Sequence, residues 1–411
     1  PRLGEVRLGL DAGWALEQLA GAEEELQRLT IEAWVEIPGG VAAVDRGTTG
    51  LVPGGAADWR EAAYRGGQYM LRNQRKDGRF TYRYRALDHR REGTSDASLA
   101  RHAGAVYALS QLYRASGRKS FARGARRAAR WLVRHRVEDC KPHRCVVDRG
   151  KVKLGSSALT LIGLLEYQRS VEDERFADVA RDLAQFVSGM QRDSGDFYHR
   201  LTTRHGSPDP EFCTMFASEQ AALSLLMAHE VFADQRYLQA AEKALNYLTA
   251  DKYGYFLGWF TFGADHWTCI AAEEAWPRLR SPQYLDFCRG YADFIGRMQF
   301  SGAPAAYAGH YGFSGIMVPQ APATAGFTEA MVSTYQLSQH HGRPDRAVYD
   351  QLAAALEALR RDQIRPDNSY LATKPARAHG AIRRSPVQSE VRIDFVQHAV
   401  SALIRGAAIV P

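Results

Sequence analysis

The chain alternates two kinds of helical segment, and this alternation limits its fold more than any other feature. The clearest example is residues 217–248, where ASEQAALSLLMAHEVF is followed, after a short turn, by RYLQAAEKALNYL. The first half is apolar nearly all round, whereas the second half has one apolar and one polar face. A helix that is apolar on every side must be buried, and a two-faced helix can cover it. The segment therefore predicts an inner helix followed by an outer helix.

The same unit recurs from Ala57 onward. Outer helices are expected near 57–74, 119–136, 174–191, 235–250, 282–299 and 345–363, and inner helices near 97–115, 156–169, 217–232, 266–276, 327–340 and 393–408. Links from inner to outer helices are short, whereas links from outer to inner helices are long. Since functional loops concentrate where connections are long, we expect a site where the inner helices begin. Unpaired N–H groups and the positive helix dipole at that end favour anions and sugar hydroxyls.

Residues 1–55 differ from everything that follows. VRLGL, IEAWVEI and VAAVDRG have strand character and are broken by two Pro-Gly-Gly turns. We expect a helix near 12–29 and a small β hairpin. The chain is therefore divided into an N-terminal cap, or the remnant of a preceding domain, at 1–55 and a helical domain at 56–411.

Composition excludes several classes of protein. The chain is 45% hydrophobic and 24% charged, as in an ordinary globular protein with a large core. The longest apolar run, LTLIGLL at 159–165, is too short to cross a bilayer, so no transmembrane segment is predicted. The net charge of +7 comes from basic residues spread along the chain without a nucleic-acid-reading motif. We therefore expect no nucleic acid as partner, and a glycan that is neutral or anionic.

The five cysteines are too few for a disulfide scaffold. Cys140 and Cys145, in CKPHRC, can form a disulfide, remain free thiols, or bind a metal with His143. Two thiols and one histidine do not complete a zinc site, so neither a metal nor another cofactor is predicted. A disulfide would imply an oxidising compartment, and hence a periplasmic or secreted protein.

A shorter repeat follows the ends of the outer helices. QRKDGRFTY at 74–82 and QRDSGDFYH at 191–199 share a glutamine, a polar turn and an aromatic residue, and RDQIRPDNSY at 361–370 follows the pattern more loosely. The Gly and Asp residues favour a turn, and we expect the aromatic residue to pack back against the ring.

Alternating helices with Gln-x-x-Asp-Gly-x-Phe turns resemble the six-hairpin (α/α)6 toroid over about residues 57–408. The resemblance implies an all-α (α/α)6 toroid of six helical hairpins with a small N-terminal α/β cap. Proteins of this fold include many glycoside hydrolases, several polysaccharide lyases, N-acylglucosamine 2-epimerases and, with a related ring, glucuronyl C5-epimerases. Terpenoid cyclases share the ring, but their Asp-rich motif is absent here. The fold hosts many reactions, so the resemblance does not select one.

Polar residues cluster where the inner helices are expected to begin. The candidates for catalysis are Asp265, Glu219, Glu329, Asp394 and His102, and the candidates for substrate binding are Asp96, Arg101, Trp259, His266, Trp267, Tyr311, Arg392 and His398. Simpler roles stay open: Asp96 and Asp265 as helix caps, Glu219 and Glu329 as first-turn acids, and both His102 and His398 as core residues. The deepest pocket is expected at the long-loop end, lined by His102, Glu219, Asp265, His266, Glu329 and Asp394.

Three functions follow from these residues. A glycoside hydrolase needs two carboxylates, and the four acidic candidates supply them. A uronate C5-epimerase or polysaccharide lyase would use His or Tyr to move a proton, with Arg101 or Arg392 neutralising the uronate. A glycan-binding or assembly protein would need only the polar and aromatic groove. The sequence favours the glycoside hydrolase and leaves the other two as alternatives.

Overall fold

The computed structural model describes residues 34–37, 40–43, 53–251, 265–301, 305–312, 318–370 and 372–409. The chain divides into two compact units, 1–45 and 46–411. In the first unit, β1 (Trp34–Ile37) and β2 (Gly40–Ala43) form an antiparallel hairpin. The helix expected at 12–29 lies outside the described residues, as does the aromatic loop at 252–264 with Trp259. The predicted domain boundary at residue 55 stays a prediction.

Twelve long helices make up most of the second unit within the described residues. They are α1 (Ala56–Arg72), α2 (Leu99–Ser116), α3 (Lys119–Arg136), α4 (Leu154–Val171), α5 (Ala177–Gly189), α6 (Ala217–Phe232), α7 (Gln235–Asn246), α8 (Asp265–Ala275), α9 (Pro282–Gly296), α10 (Ala321–His340), α11 (Arg346–Asp362) and α12 (Ile393–Ile409). A four-residue helix, Pro375–Ala378, lies between the last two. The even-numbered helices are buried over most of their length, and the odd-numbered helices are buried on one face.

The helices form a closed double ring. Each even-numbered helix packs against the next, and α12 packs against α2, which closes the inner ring. Each odd-numbered helix lies outside, against the inner helices next to it. The predicted (α/α)6 toroid is confirmed, including the assignment of inner and outer helices.

One helix boundary differs enough to affect the site. The helix α10 begins at Ala321 rather than near 327, with Pro322 in its first turn, where proline costs no helical hydrogen bond. Glu329 therefore lies in the third turn of this helix and not in the first. The interpretation of Glu329 as an acid that stabilises the helix dipole was wrong, because that effect is confined to the first turn.

Two small antiparallel sheets occupy the long links, and the sequence did not predict them. One has the order β4-β3-β9, from Arg90–Thr94, Thr81–Arg85 and Glu390–Arg392, and the other has the order β5-β6-β7-β8, from Val137–Asp139, Arg144–Asp148, Lys151–Lys153 and Arg200–Leu201. The strands contain two to five residues. Such short segments give little alternation of polar and apolar residues, and β9 pairs with β3 from a distant part of the sequence.

Four outer helices end in a glutamine whose side chain ties each of them to the next outer helix. The amide nitrogen donates two hydrogen bonds, one to a turn glycine and one to the following outer helix: Gln74 to Gly78 and Gly124 (3.1 and 2.9 Å), Gln191 to Gly195 and Ala240 (3.1 and 2.8 Å), Gln299 to Gly309 and Gln351 (3.1 and 2.9 Å), and Gln363 to Gly380 and Ala62 (3.3 and 2.8 Å). We call this arrangement the glutamine clamp. The clamp of Gln363 joins α11 to α1 and so closes the outer ring.

The glycine of each clamp is required by its position. The four glycines have φ values of +104°, +99°, +80° and +85°, in the order of the chain. A methyl group on any of these glycines would overlap a backbone carbonyl of the next outer helix. That carbonyl lies three residues after the one that accepts the glutamine hydrogen bond, and it belongs to Arg127, Lys243, Ala354 or Arg65. After the turn, one residue forms an antiparallel backbone bridge with the glutamine. In the four clamps this residue is Phe80, Phe197, Tyr311 and Ile382. Ile382 thus takes the place that the sequence pattern assigned to Tyr370, because the last turn is much longer.

The cysteines form two disulfides among the described residues. Cys140 and Cys145 are joined across the β5–β6 hairpin, which selects one of the three alternatives that the sequence left open. Cys269 and Cys288, which the sequence did not pair, join the inner helix α8 to the outer helix α9. Cys213 is not in a disulfide. None of the described helices combines the length and the apolar character that a membrane crossing requires.

The clamp predicts that glycine substitutions differ sharply in cost. Gly380 and Gly342 both have positive φ, but a methyl group on Gly342 meets no atom within 4 Å. We expect Gly342→Ala to lose about 1 to 2 kcal/mol for the left-handed backbone. Gly380→Ala should lose a further ~1 to 3 kcal/mol, because the methyl group overlaps the Arg65 carbonyl. Urea unfolding of both variants gives the comparison, and equal losses would contradict the clamp.

Candidate functional site

Three chemically active side chains meet at the end of the ring where the inner helices begin. His266 comes from α8, Glu329 from α10 and His398 from α12, and one nitrogen or oxygen atom of each lies within 4.8 Å of the other two. His398 Nδ1 lies 2.7 Å from Glu329 Oε2, and the two imidazole rings are 5.9 Å apart and nearly perpendicular. We call these residues the His–Glu–His cluster. The structure thus brings together three of the residues that the sequence proposed.

The environment of this cluster favours opposite charges on Glu329 and His398. Burial by itself would raise the pKa of Glu329, but the charge and hydrogen bond of His398, together with the charge of His266, lower it below its ordinary 4.5. Burial by itself would lower the pKa of His398, but the Glu329 carboxylate raises it above its ordinary 6.5. The Glu329 side chain is 1% exposed, whereas that of His398 is 23% exposed. His398 is therefore the more exposed member of the pair, and it carries the proton.

Aromatic side chains hold the two imidazoles. The ring of Trp267 lies 6.1 Å from that of His398, and the ring of Phe216 lies 5.7 Å from that of His266. Trp267 is only 3% exposed, so it packs behind the cluster and does not offer a stacking face to a ligand. Gly326 faces the His266 ring, and a methyl group there would be 3.6 Å from it.

Asp394 lies one turn before His398 on α12 and is clamped by two arginines. Its carboxylate pairs with Arg101 at 3.0 Å and with Arg392 at 2.6 Å. Both guanidinium groups also lie over the ring of Tyr82, 5.4 Å from its centre, and Arg101 donates to the Tyr82 hydroxyl. Asp394 neutralises one of the two positive charges, so this group of ion pairs keeps a net positive charge.

His102 is a structural residue in this geometry. It is fully buried, its Nδ1 lies 2.7 Å from the Ser95 hydroxyl, and its Nε2 lies 3.0 Å from the carbonyl oxygen of Ala128 on α3. Burial lowers the pKa of His102 to about 4. Both ring nitrogens thus face the junction of α2 with the outer helix α3, away from the cluster, as expected of a core histidine.

Asp96 does not cap α2, because the N-cap of that helix is Ser98. Its carboxylate lies 3.1 Å from Arg79 and accepts a hydrogen bond from Thr94. Burial by itself would raise the pKa of Asp96, but the Thr94 hydrogen bond and the Arg79 charge lower it. The capping interpretation was wrong for Asp96.

Of the two further candidates, only Tyr311 can be placed relative to the cluster, and it stands apart from it. Tyr311 is fully buried, pairs with Gln299 in a glutamine clamp and packs edge-on against Phe327. Asp265 is the first residue of α8, but its side chain lies outside the described residues, so its role as cap or acid stays a prediction.

A cavity of about 490 Å³ lies beside the start of α6, at the predicted long-loop end. Its lining includes Asp196, His199, Ser218, Glu219 and Tyr247. Of the six residues expected to line the deepest pocket, the described lining contains only Glu219. His102 is buried against α3 and does not line this cavity, whereas the expectation that the deepest pocket joins the other five residues stays a prediction.

Three residues of this cavity form a hydrogen-bonded chain that the sequence analysis missed. The Thr214 N–H donates to His199 Nδ1 at 2.8 Å, so the proton of the neutral imidazole lies on Nε2. That nitrogen lies 2.8 Å from the Ser218 hydroxyl, which donates to Asp196 at 2.5 Å. Because the imidazole donates to Ser218 and does not accept its proton, Ser218 is not activated as a nucleophile. The Asp–x–x–His spacing within QRDSGDFYH was the available signal.

Among the described residues, the His–Glu–His cluster is also the one group whose ligand atoms are close enough to hold a metal ion. Two imidazoles and a carboxylate suit zinc or iron. In the structure, however, His398 Nδ1 and Glu329 Oε2 are hydrogen-bonded to each other, as expected of a pair that exchanges a proton.

Comparison with known proteins places the fold. No protein-family model matches the chain, and no curated protein is significantly similar to it in sequence. Solved structures do match. Cellobiose 2-epimerase from Bacillus thermoamylovorans is 12% identical, with a TM-score of 0.65 over 85% of this chain and 99% of the other.

Two hydrolases match equally well. An unsaturated glucuronyl hydrolase specific for heparin is 12% identical, with a TM-score of 0.64 over 86% of this chain and 98% of the other. An α-1,6-mannanase from Salegentibacter sp. is 14% identical, with a TM-score of 0.61 over 85% and 99%. At such low identity these likenesses show the fold alone, and that fold is the (α/α)6 toroid.

Proposed function

We propose that this protein is a carbohydrate-active enzyme that moves a proton at the carbon next to a sugar carbonyl, as epimerases and isomerases do. The observation that carries the proposal is the His–Glu–His cluster: two imidazoles and a carboxylate at the mouth of the ring. Imidazole is the side chain best suited to exchange protons near neutral pH. The hydrogen bond to Glu329 keeps His398 protonated, and its side chain is 23% exposed.

The reaction needs one base and one acid. In an open-chain sugar, His266 removes the proton from the carbon next to the carbonyl, the C–H electron pair forms an enediolate, and the carbonyl oxygen becomes negative. His398, as an imidazolium paired with Glu329, stabilises that oxygen or returns a proton. Return to the same carbon from the opposite face gives an epimer. Return to the former carbonyl carbon gives an isomer when the hydroxyl proton of the neighbouring carbon also moves to the oxygen that has become negative.

The pairing of the arginines near the cluster decides between a neutral sugar and a uronate. A uronate would need a cation to neutralise its carboxylate. Arg101 and Arg392 both pair with Asp394 and leave one positive charge in excess. A uronate that took both guanidinium groups would displace Asp394 and leave that carboxylate unpaired at a cost, so we place the neutral sugar first. The structural likeness to cellobiose 2-epimerase supports the same choice, although it concerns the fold alone.

Glycoside hydrolysis is the second candidate, favoured by one observation. Asp196 and Glu219 line the same cavity of about 490 Å³, and a pair of carboxylates is what glycosidases use. Asp196, however, already accepts a hydrogen bond from Ser218. The cluster offers the more complete set of groups, so hydrolysis comes second.

We also propose that the protein works in an oxidising compartment, in the periplasm or outside the cell. Two pairs of cysteines are within bonding distance and joined in the structure. Disulfides persist in such compartments and are rare in a reducing cytosol.

The proposal predicts which variants lose activity. Purified protein is incubated with neutral aldoses, reducing disaccharides and uronate oligomers, and the products are separated by chromatography. We expect epimers or isomers of a neutral sugar. His266→Gln, His398→Gln and Glu329→Gln should each lower kcat by about 100-fold or more, because each removes a group that moves or holds the proton.

His310 provides the matched control. It forms a comparable pair with Asp362, at 2.8 Å and fully buried, away from the cluster. His310→Gln should lower stability but leave kcat nearly unchanged. The hydrolase would be established instead if the wild type released shorter sugars, Glu219→Gln did not, and His398→Gln released them at the full rate. Unsaturated uronates among the products would establish a lyase.

The pH dependence of kcat follows from the two shifted groups. The active form needs His398 protonated, Glu329 ionised and the base His266 neutral. Because Glu329 raises the pKa of His398 above its ordinary 6.5, activity should persist above pH 6.5 and fall as pH rises through that raised pKa. Activity should also fall at acid pH, where His266 takes up a proton and where Glu329, whose pKa is below 4.5, is neutralised. Glu329→Gln should move the alkaline limb to lower pH, since the partner that raises the pKa of His398 is lost. An unmoved limb would contradict the assignment.

A further inference from the structure

The three helices that carry the His–Glu–His cluster are tied together a second time, deeper in the ring. Arg405 on α12 pairs with Glu273 on α8 and lies 2.7 Å from the Ser333 hydroxyl on α10. Ser333 also donates to Glu273 at 2.9 Å. All three contacts join different helices, so each helix is bonded to both of the others. We call these three residues the deep layer.

Each residue of the deep layer follows a residue of the His–Glu–His cluster on the same helix, at a spacing of one or two turns. Glu273 follows His266 by seven residues, Ser333 follows Glu329 by four, and Arg405 follows His398 by seven. Residues four or seven apart share one face of a helix. The deep layer therefore lies on the same helical faces as the cluster, one or two turns further in.

Burial makes the deep layer sensitive to geometry. The side chain of Arg405 is 12% exposed and that of Glu273 is 21% exposed. A largely buried ion pair is stable only when its partners stay at hydrogen-bonding distance, because an unpaired buried charge is costly. A rotation or shift of any one of the three helices would stretch this pair.

We propose that Glu273, Ser333 and Arg405 are positioning residues for the proton-transfer reaction: they fix the spacing and rotation of α8, α10 and α12, and so hold both imidazoles at the Glu329 carboxylate. The inference rests on the proposed function for its effect on catalysis, but its effect on geometry can be measured without a substrate.

Four variants test it. Arg405→Met removes the central residue, Ser333→Ala removes one hydrogen bond, and Arg405→Lys keeps the charge as a conservative rescue. Arg360→Met is the matched control. Arg360 is 13% exposed and pairs with Glu357 on the same outer helix and with Asp58 on the outer helix α1, so these pairs set no distance between inner helices. The pKa of His398 is read from nitrogen-15 NMR of labelled histidines, with His398→Gln to assign the signal, and kcat and KM are measured beside it.

The expected direction separates positioning from charge. If Arg405 acted only as a positive charge, its removal would raise the pKa of His398, because a repulsion is lost. If the deep layer positions the cluster, its loss moves Glu329 away and lowers the pKa of His398 towards the ordinary 6.5. We expect the lowered pKa in Arg405→Met, a smaller shift in Ser333→Ala, partial recovery in Arg405→Lys and no shift in Arg360→Met.

Activity should follow the same order. Arg405→Met should lower kcat by about 10- to 100-fold, because a displacement of the acting groups by ~1 Å has effects of that size. KM should change by less than about twofold, since the substrate does not touch the deep layer. If Arg405→Met does not fold, the His398 pKa and the kcat of Ser333→Ala test the inference.

An unchanged His398 pKa and kcat in folded Ser333→Ala and Arg405→Met would overturn the inference, even if both variants were less stable. A raised pKa would overturn it in favour of a charge effect. If the wild type converted no sugar but Arg405→Met still lowered the pKa of His398, the positioning role of the deep layer would stand and only the proposed function would be contradicted.

Discussion

The glutamine clamp is the interaction on which the ring depends. Each clamp satisfies two backbone carbonyls with one side-chain amide and brings a glycine against the next outer helix, where a side chain has no room. Because Gln363 on α11 reaches back to Ala62 on α1, the same contact closes the outer ring. Closure places all inner helix starts at one end, and residues distant in sequence, such as His266 and His398, come into contact.

The inside of the ring is polar in layers. Below the His–Glu–His cluster lies the deep layer of Glu273, Ser333 and Arg405. Towards the short-loop end, Arg169 pairs with Glu166, Glu230 and Glu274 at 2.7, 2.9 and 2.6 Å. These charges, buried except for Glu230, join α4, α6 and α8, as the deep layer joins α8, α10 and α12. Buried pairs of this kind contribute little net stability but penalise any other arrangement, which suits a site that needs fixed distances.

The fold was predictable because helices report their surroundings locally: the apolar pattern of α6 and the two-faced pattern of α7 are visible in 217–248 alone. The site was only partly predictable. His266, Glu329 and His398 could be named, yet their contact depends on where three helices meet, and Glu329 was placed two turns too shallow. His102 was named too, although it faces an outer helix. Periodicity shows that a residue is buried but not which neighbour it faces.

The most direct test of the account is proton nuclear magnetic resonance of the reaction in deuterated water. If His266 and His398 move a proton at the carbon next to the carbonyl, the neutral sugar product should carry deuterium there, because imidazole protons exchange with solvent. The deuterium should be absent with His398→Gln and present with His310→Gln. Products that form at full rate without deuterium at that carbon would contradict proton transfer by the cluster.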